Sequence, residues 1–252
     1  MILAIVQARM SSSRLPGKVL KTVLGKPMIQ HLLERLSMSK KIDKVVVATS
    51  VDAESDPLHD FVKSIGFDVY RGSEEDVLDR FYQAAKKYQP QTVVRITGDS
   101  PLLDPAICDG AIGVYEKDKV DYVHTGPTFA EGLDCEVLSF KSLEVAWKES
   151  KLKSEREHVT QYLHKHPELF KKITLGNKTD DSKYRFTLDE EEDFIVIKTI
   201  LEEFARKGKP HFTAEDIKSF LDNRRDIYEI NAHIVRNEGL LKSLKEDQVV
   251  KK

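Results

Sequence analysis

The stretch that decides the fold is MILAIVQARMSSSRLPGK, residues 1–18. Ile2 to Val6 is a run of apolar, β-prone residues, which predicts a strand buried on both faces. The loop after it is small and polar, and its basic and hydroxyl groups are Arg9, Arg14, Lys18, Ser11, Ser12 and Ser13. A buried strand followed by such a loop can form an anion pocket, because backbone N–H groups and cations meet phosphate charge there.

This loop does not match the two best-known phosphate-binding patterns. The pattern G-x-x-x-x-G-K-[ST] is absent, and no G-x-G-x-x-G follows the strand. A solvated first loop on an α/β domain therefore remains the alternative to a phosphate site at this point.

Length and composition set the broad class. The chain has 252 residues, which suits one large α/β domain or two small ones. Its 40 basic residues against 42 acidic residues argue against a nucleic-acid partner. No apolar run approaches the roughly 20 residues of a membrane helix, and no basic segment precedes the first apolar run. We therefore expect a cytoplasmic protein with no membrane partner. The two cysteines, Cys108 and Cys135, form no disulfide framework or metal-binding spacing, and we expect them to fill the core.

Strands and helices alternate over the first ~120 residues. Apolar runs predict strands at 2–6, 44–49, 67–70 and 92–97, and helical spacing predicts helices between them. This alternation is typical of a three-layer α/β/α fold with a mostly parallel, Rossmann-like sheet. Ligands bind at the carboxyl ends of strands in such sheets, which here are followed by loops 8–18 and 98–104.

The second half is less regular. We predict strands at 121–125, 133–140, 172–175 and 183–188, and helices at 142–149 and 154–165. A peripheral helical tail should run from 190 to about Leu244, with frayed residues after it. No repeat or linker is visible, so 1–252 is predicted to be a single domain.

Two acidic residues follow predicted strands and could hold a metal. Asp99 lies in the turn Gly98-Asp99-Ser100-Pro101, where a carboxylate could bind Mg²⁺ or simply stabilise the turn. Asp189 precedes Glu-Glu-Glu-Asp, where it could be a metal ligand or the N-cap of the next helix.

Two further pairs of polar residues are candidates for substrate binding. Asp134 and Glu136 fall on the same side of a predicted strand, where they could bind sugar hydroxyls or face solvent. Arg156 and His158 could contact an acidic substrate or belong to an exposed, salt-bridged helix. Spacing alone leaves both alternatives open.

The motifs together resemble a known family over nearly the whole chain. Segments similar to the nucleotide-binding loop and acidic motifs of the CMP-Kdo synthetases are ARMSSSRLPGK at 8–18, LGKPMI at 24–29, RITGDSPLLDP at 95–105 and LDEEEDF at 188–194. Segments that resemble the spore coat polysaccharide biosynthesis cytidylyltransferases are GLDCEV at 132–137, REHVT at 156–160 and INAHIVRNEG at 230–239.

This resemblance implies an enzyme that transfers CMP from CTP to an acidic sugar of the nonulosonic or octulosonic type and releases pyrophosphate. It implies Mg²⁺ as the cofactor, held by Asp99 and Asp189, and it allows a homodimer. Nucleotide contacts would come from Ala8, Arg9, Ser11, Ser12, Ser13, Arg14, Lys18, Arg71, Gly72, Arg80 and Asp99. Catalytic roles would fall to Arg9, Arg14, Lys18 and Asp99, and sugar contacts to Asp134, Glu136, Arg156 and His158.

The same resemblance divides the domain by role. Residues 1–120 would form the nucleotide-binding half, 121–189 would bind the sugar and complete the metal site, and 190–252 would form the helical tail. Departures leave the sugar open: Thr187 replaces an Asp of the acylneuraminate enzymes, Met10-Ser11-Ser12 replaces their Gly-Gly-Ser, and Ser100 replaces a Glu of the Kdo enzymes. A transferase with another nucleotide donor and a non-catalytic nucleotide-binding module are the alternative functions.

Overall fold

The computed structural model describes residues 1–250. Seven strands form one sheet in the order β5-β4-β1-β6-β8-β7-β9, and two short strands form a separate antiparallel ribbon. The strands are β1 (Ile2–Gln7), β2 (Thr22–Val23), β3 (Lys26–Pro27), β4 (Lys44–Ser50), β5 (Asp68–Gly72), β6 (Thr92–Thr97), β7 (Tyr122–Thr125), β8 (Glu136–Ser139) and β9 (Lys172–Leu175). Only β8 runs antiparallel to its neighbours in the large sheet, so the predicted mostly parallel α/β fold is confirmed.

Helices cover both faces of the large sheet. The α-helices are α1 (Met28–Leu36), α2 (Asp56–Ser64), α3 (Val77–Tyr88), α4 (Pro105–Asp118), α5 (Phe140–Glu149), α6 (Lys153–Glu157), α7 (Gln161–Lys165), α8 (Glu191–Arg206), α9 (Ala214–Asn223), α10 (Arg225–Tyr228) and α11 (Glu238–Lys245). Short 3₁₀ helices lie at Lys18–Leu20 and Ala53–Ser55. No helix within residues 1–250 is both long enough and apolar enough to cross a membrane.

The alternation of side chains along β1 builds two cores. Ala4 and Val6 point to one face and pack with α1, α2 and α4, whereas Leu3 and Ile5 point to the other face and pack with α3 and α5. Both faces are apolar because a parallel strand covered by helices on both sides is shielded from water. Cys108 and Cys135 are buried free thiols in the first of these cores, as predicted.

A third core lies beside the sheet and involves the C-terminal helices. Leu188 packs there with Val196 and Ile200 of α8 and with Ile217 of α9. Leu15 of the first loop belongs to the same cluster. The C-terminal region is helical, as expected, but α8 and α9 bury a core of their own, so the prediction of a peripheral tail is wrong for them.

Several predicted boundaries differ from the structure. Residues 183–188 form no regular strand, and only Arg185 makes an isolated bridge, to Glu131. The predicted helix 154–165 is interrupted at 158–160, where the side-chain hydroxyl of Thr160 donates a hydrogen bond to Glu136. The predicted strand 133–140 begins only at Glu136.

The chain end up to residue 250 is paired rather than frayed. The backbone N–H of Lys153 donates to the carbonyl of Gln248 at 2.8 Å, and that of Val250 donates to Lys151 at 2.7 Å. Residues 251–252, which the frayed-end prediction also included, lie outside the described residues.

Candidate active site

The site lies at the point in the sheet where the order of strand addition changes sides. From β1 the chain moves to β4 on one side of the sheet, and it later returns to add β6 on the other side. Ligands bind at such a switch point, because the loops after the two strands diverge there. These are the loops 8–18 and 98–104, and they line a cavity of about 1390 Å³.

The two loops leave their strands in close contact. The N–H of Gly98 donates to the carbonyl of Gln7 at 2.8 Å. A Cβ atom at Gly98 would lie only 2.7 Å from the Cβ of Ala8, which is closer than real Cβ contacts. Glycine is therefore required for this approach, and the approach aligns the next residue, Asp99, with the first loop.

The first loop is shaped by its own backbone. The N–H groups of Ser12 and Gly17 both donate to the carbonyl of Met10 at 3.0 Å, which closes the loop on itself. Gly17 has φ 68°, a left-handed conformation that begins the 3₁₀ helix Lys18–Leu20. Leu15 is buried in the third core, so the loop is anchored and Lys18 enters the cavity from a fixed position.

Lys18 lies between two carboxylates from distant parts of the chain. Its ammonium is 2.6 Å from Oδ1 of Asp189 and 3.3 Å from Oδ2 of Asp99. Burial lowers the pKa of Lys18, but the charges of Asp99 and Asp189 outweigh burial, and the net pKa is raised. For Asp99, burial likewise opposes ionisation, and the ammonium of Lys18 outweighs it, so the pKa of Asp99 is lowered.

The convergence of these carboxylates on one cation is the arrangement that a magnesium site needs. Mg²⁺ usually takes one or two protein carboxylates, and phosphate oxygens and water complete its shell. Within residues 1–250 no group of three or more His, Cys, Asp or Glu side chains could hold a metal by itself. Asp99 and Asp189 thus fit a metal shared with a phosphate ligand.

Asp189 is placed by the start of α8 and is not its cap. The N-cap of α8 is Glu190, and the carboxylate of Asp193 accepts the N–H groups of Asp189 and Glu190 at 2.9 and 3.0 Å. The carbonyl of Asp99 accepts the N–H of Leu188 at 2.8 Å, which ties the two acidic segments together. The side chain of Asp189 is therefore free to face the first loop.

The two arginines of the first loop line the cavity with different partners. Arg14 contacts Asp189 at 3.0 Å, Glu190 at 3.2 Å and Glu238 of α11 at 2.7 Å. Arg9 is nearly half exposed and pairs with Glu74 at 3.1 Å. Both guanidinium groups are therefore paired with carboxylates.

Three small residues of the loop also line the cavity, and one does not. Ala8, Ser12 and Ser13 line it, and the hydroxyl of Ser12 accepts the N–H of Leu15 at 3.3 Å. Ser11 is turned to Glu74, to which its hydroxyl donates, and it lies outside the cavity wall.

Of the four residues predicted near the nucleotide beyond this loop, the structure brings Asp99 and Arg80 to the cavity. Arg80 is buried, burial lowers its pKa to about 10, and it donates to the carbonyl of Ser73 at 2.5 Å. A Cβ at Gly72 would lie 2.9 Å from Cγ of Arg80, so Gly72 supports that side chain without lining the cavity. Arg71 instead pairs with Asp56 at 2.6 Å, away from the wall.

Of the four predicted sugar residues, Asp134, Glu136 and His158 line the cavity. Glu136 accepts hydrogen bonds from Arg95 and from the hydroxyl of Tyr122, both at 2.8 Å. Burial raises the pKa of Glu136, but Arg95 outweighs burial, and the net pKa is well below the ordinary range. Burial raises the pKa of Asp134.

The fourth predicted sugar residue, Arg156, has a structural position outside the cavity wall. Its guanidinium contacts the carboxylate of Asp76 at 2.5 Å and donates to the carbonyl of Trp147 at 2.8 Å. Asp76 also caps α3 by accepting the N–H of Asp79. Arg156 therefore links α6 to α3 and α5.

His158 reaches the cavity with an unsatisfied nitrogen. Its Nε2 is buried and has no hydrogen-bond partner among the described residues. Burial lowers the pKa of this imidazole. A buried polar atom without a partner on a cavity wall is suited to bind a polar group of a ligand.

The family becomes evident from comparison with known proteins. Residues 3–234 match the family model described as Cytidylyltransferase. The chain belongs to the cytidylyltransferase family. It is accordingly a CTP-dependent nucleotidyltransferase, as the resemblance of its motifs predicted.

Several relatives support this assignment over most of the chain. An uncharacterised protein of Methanocaldococcus jannaschii is 39% identical, over 92% of this chain and 95% of its own. The spore coat polysaccharide biosynthesis protein SpsF of Bacillus subtilis is 33% identical, over 89% and 95%. A solved structure of a cytidylyltransferase from Leptospira borgpetersenii superposes with a TM-score of 0.85 at 33% identity, over 90% of this chain and 96% of that one.

A shorter match concerns the enzymes whose motifs the first loop resembles. The 3-deoxy-manno-octulosonate cytidylyltransferase of Geobacter sulfurreducens is 36% identical over 111 residues, which is 44% of each chain. This cytidylyltransferase therefore shares about half of its length with that enzyme at the level of sequence.

Sequence reasoning missed several residues of the wall of this cytidylyltransferase. Arg95 was visible as the one charge within the apolar strand TVVRIT. His124 and His164 lie with ring centroids 4.7 Å apart, and the hydroxyl of Tyr122 is 2.8 Å from Nε2 of His164. No spacing in the sequence indicates this pair, because β7 and α7 meet only in the folded chain.

The C-terminal part of the wall was also missed. Arg236 donates to the carbonyl of Phe129 at 2.7 Å, and the N–H of Asn237 donates to Glu131 at 2.9 Å. Glu131 in turn pairs with Arg185 at 2.6 Å. These contacts bring α11 over the cavity, where Ser243 bonds Glu157 at 2.9 Å.

Proposed function

We propose that this cytidylyltransferase transfers CMP from CTP to an acidic sugar and releases pyrophosphate, in the synthesis of a surface polysaccharide. The observation that carries the proposal is the position of Lys18 between Asp99 and Asp189, at the carboxyl ends of β1 and β6. The sequence similarity to a spore coat polysaccharide protein and, over part of the chain, to a 3-deoxy-manno-octulosonate enzyme supports the choice of acceptor.

In this reaction an oxygen–phosphorus bond forms and another breaks at the same atom. The anomeric hydroxyl oxygen of the sugar attacks the α-phosphorus in line, the bond to the bridging oxygen breaks, and pyrophosphate leaves. The hydroxyl proton is lost to solvent. Such a transfer needs positioning and charge neutralisation more than covalent help from the protein.

The residues of the first loop carry the neutralisation. Lys18 and Arg14 would exchange their carboxylate partners for the phosphates, and Arg9 would do the same at the rim. Asp99 and Asp189 would hold Mg²⁺, which supplies charge stabilisation at the phosphate oxygens when bound. Ser12, Ser13 and Ala8 would lie along the nucleotide, with Arg80 behind them.

The division of the domain follows from these roles. Residues 1–120 would contribute the nucleotide side of the cavity, and 121–189 would contribute Asp134, Glu136 and His158 to the sugar side. Glu136 is a strong hydrogen-bond acceptor held in a fixed position, which suits the recognition of sugar hydroxyls.

The direct test measures pyrophosphate release by the purified protein with Mg²⁺, each of four nucleoside triphosphates, and 3-deoxy-manno-octulosonate or N-acetylneuraminate. We expect release only with CTP and an acidic sugar. Asp99→Asn should lower the rate about 10²- to 10³-fold, as expected for loss of a group that stabilises transition-state charge.

The matched control is Glu191→Gln, which alters an acidic residue of the same region that pairs with Lys21 at 2.8 Å outside the cavity. It should retain the rate of the unmodified protein. Pyrophosphate release with the phosphate of a neutral sugar as acceptor, but with neither acidic sugar, would refute the acidic acceptor. Equal rates for Asp99→Asn and Glu191→Gln would refute the metal assignment.

A further inference from the structure

The cavity wall is completed by a segment that we name the strap, residues Val235–Glu246. The strap lines the cavity along most of its length, and α11 forms its second half. The family model matches residues 3–234 and ends just before it. The family model does not cover the strap, although its residues 235–239 belong to the segment that resembles the spore coat cytidylyltransferases. The part of the wall after residue 239 lies beyond both, and such a segment can distinguish the acceptor of one family member from that of another.

Nearly all positive charges of the wall are already paired. Arg9, Arg14, Lys18, Arg95 and Arg236 have carboxylate partners. Arg80 donates to a backbone carbonyl. Among the described residues, only the lysines Lys153, Lys242 and Lys245 line the cavity with no ion pair and no hydrogen bond from the ammonium.

These three lysines come from two helices in contact. Lys242 and Lys245 are three residues apart on α11 and therefore share a face. Lys153 is the first residue of α6. Two contacts join α6 to the strap and to the residues after it: the hydroxyl of Ser243 donates to Glu157, and the backbone N–H of Lys153 donates to the carbonyl of Gln248. At this rim the carboxylate of Glu246 has no side-chain partner and that of Glu157 has only the hydroxyl of Ser243 and the imidazole of His158, so three ammonium groups face two uncompensated carboxylates and the net charge stays positive.

We propose that Lys153, Lys242 and Lys245 form the site that binds the carboxylate of the acceptor sugar. The inference rests on the proposed function and adds the residues that select an acid over a neutral sugar. Unpaired ammonium groups at the rim attract an anion and bind it without first breaking an internal ion pair. The paired Arg95 and Glu136 lie deeper and are left to bind hydroxyls.

The test compares steady-state kinetics of the full-length protein with the triple variant Lys153→Gln, Lys242→Gln, Lys245→Gln. We expect the KM for the acid that the unmodified protein turns over to rise about tenfold, as three exposed ion pairs are removed. The KM for CTP should stay unchanged. In the unmodified protein the KM for the acid should rise with ionic strength, and this dependence should weaken in the variant.

The control is Lys63→Gln, an exposed lysine on α2 outside the cavity, which should change neither constant. Unchanged KM values in the triple variant, with normal turnover in the unmodified protein, would overturn the lysine site and leave the proposed function standing. If the unmodified protein releases no pyrophosphate with either acid, the proposed function fails. Calorimetric titration of 3-deoxy-manno-octulosonate and N-acetylneuraminate into the CTP-loaded protein then decides the lysine site, which is refuted if neither acid binds.

Discussion

The ammonium of Lys18 and the carboxylate of Asp189 lie 2.6 Å apart although 171 residues separate them in the chain. Because Asp99 shares the same ammonium, Lys18 occupies the space where a divalent cation would meet both carboxylates. In the proposed site a lysine and a metal ion would therefore compete for one pair of acidic side chains, and a nucleotide phosphate would release the lysine from them.

Replacing Lys18 tests two proposed effects of its ammonium, the neutralisation of the phosphates and the competition with a metal ion. Lys18→Met should lower the rate of pyrophosphate release about 10²- to 10³-fold, because a cation that neutralises the phosphates is lost. The same change should increase the rise in Tm on addition of Mg²⁺ without nucleotide, since the ammonium no longer competes. Thermal unfolding with and without Mg²⁺ measures this rise. Lys21→Met, which removes a lysine that pairs with exposed Glu191, should leave both quantities unchanged.

The contact between the two loops predicts a steric effect at Gly98. Gly98→Ala would place a Cβ 2.7 Å from that of Ala8 and 2.9 Å from the carbonyl oxygen of Gln7, both of which belong to the strand end. We expect a loss of about 1–3 kcal/mol in the free energy of unfolding, measured by urea denaturation. Gly110→Ala is the control, because α4 has open space at that position and alanine favours a helix by roughly 0.5–1 kcal/mol. Equal stabilities for the two variants would contradict the close approach.

Arg156 should be important for stability rather than for binding the sugar. Arg156→Met breaks its pair with Asp76 and leaves the carbonyl of Trp147 without its donor, so Tm should fall by several degrees. The KM for the acidic sugar should stay within about twofold at temperatures where the variant is folded, because the side chain lies outside the wall. Arg224→Met, an exposed arginine that pairs with Asp226, should change neither Tm nor KM. A large rise in KM with an unchanged Tm would restore the original assignment to the sugar.

The buried imidazole of His158 predicts a pH dependence of stability. Its pKa is lowered by burial in the folded protein, so the unfolded chain takes up a proton first as the pH falls. The stability that neutral His158 provides is therefore present above the unfolded pKa of about 6.5 and is lost as the pH falls toward the lowered value. Glu157, Glu136, Arg95 and Arg9 are the charged groups that act on it.

His158→Gln should therefore lose less stability than the unmodified protein when the pH is lowered through this range. Chemical denaturation at a series of pH values gives the slope directly. His211→Gln removes an exposed histidine and should reproduce the slope of the unmodified protein. A slope for His158→Gln that matches this control would show that the imidazole is not desolvated.

The sheet and the first loop could be predicted from the sequence because both depend on patterns of residues that are adjacent in the chain. The apolar run Ile2–Val6 and the polar residues after it needed only the period of a strand and the chemistry of a loop. Asp99 could be predicted for the same reason, since it follows a strand directly. These features depend on neighbours in the chain and not on distant partners.

The rest depended on contacts between distant segments. Tyr184, Phe186 and Leu188 alternate as in a strand and are all buried in the third core, but the backbone of this segment forms only an isolated bridge to Glu131. Arg185 between them pairs with Glu131 and Asp193, which lie 54 and 8 residues away. Alternation shows which side chains are buried, and it does not show whether another strand lies alongside.

The third core has a consequence for how the protein is made. Asp189 directly follows Leu188, which packs against α8 and α9, so the second carboxylate is fixed only when those helices have folded. Lys18 and Asp99 precede these helices in the chain, so they are synthesised before the residues that hold Asp189. The second carboxylate of the proposed site is therefore placed only after α8 and α9 have been synthesised and have packed on Leu188.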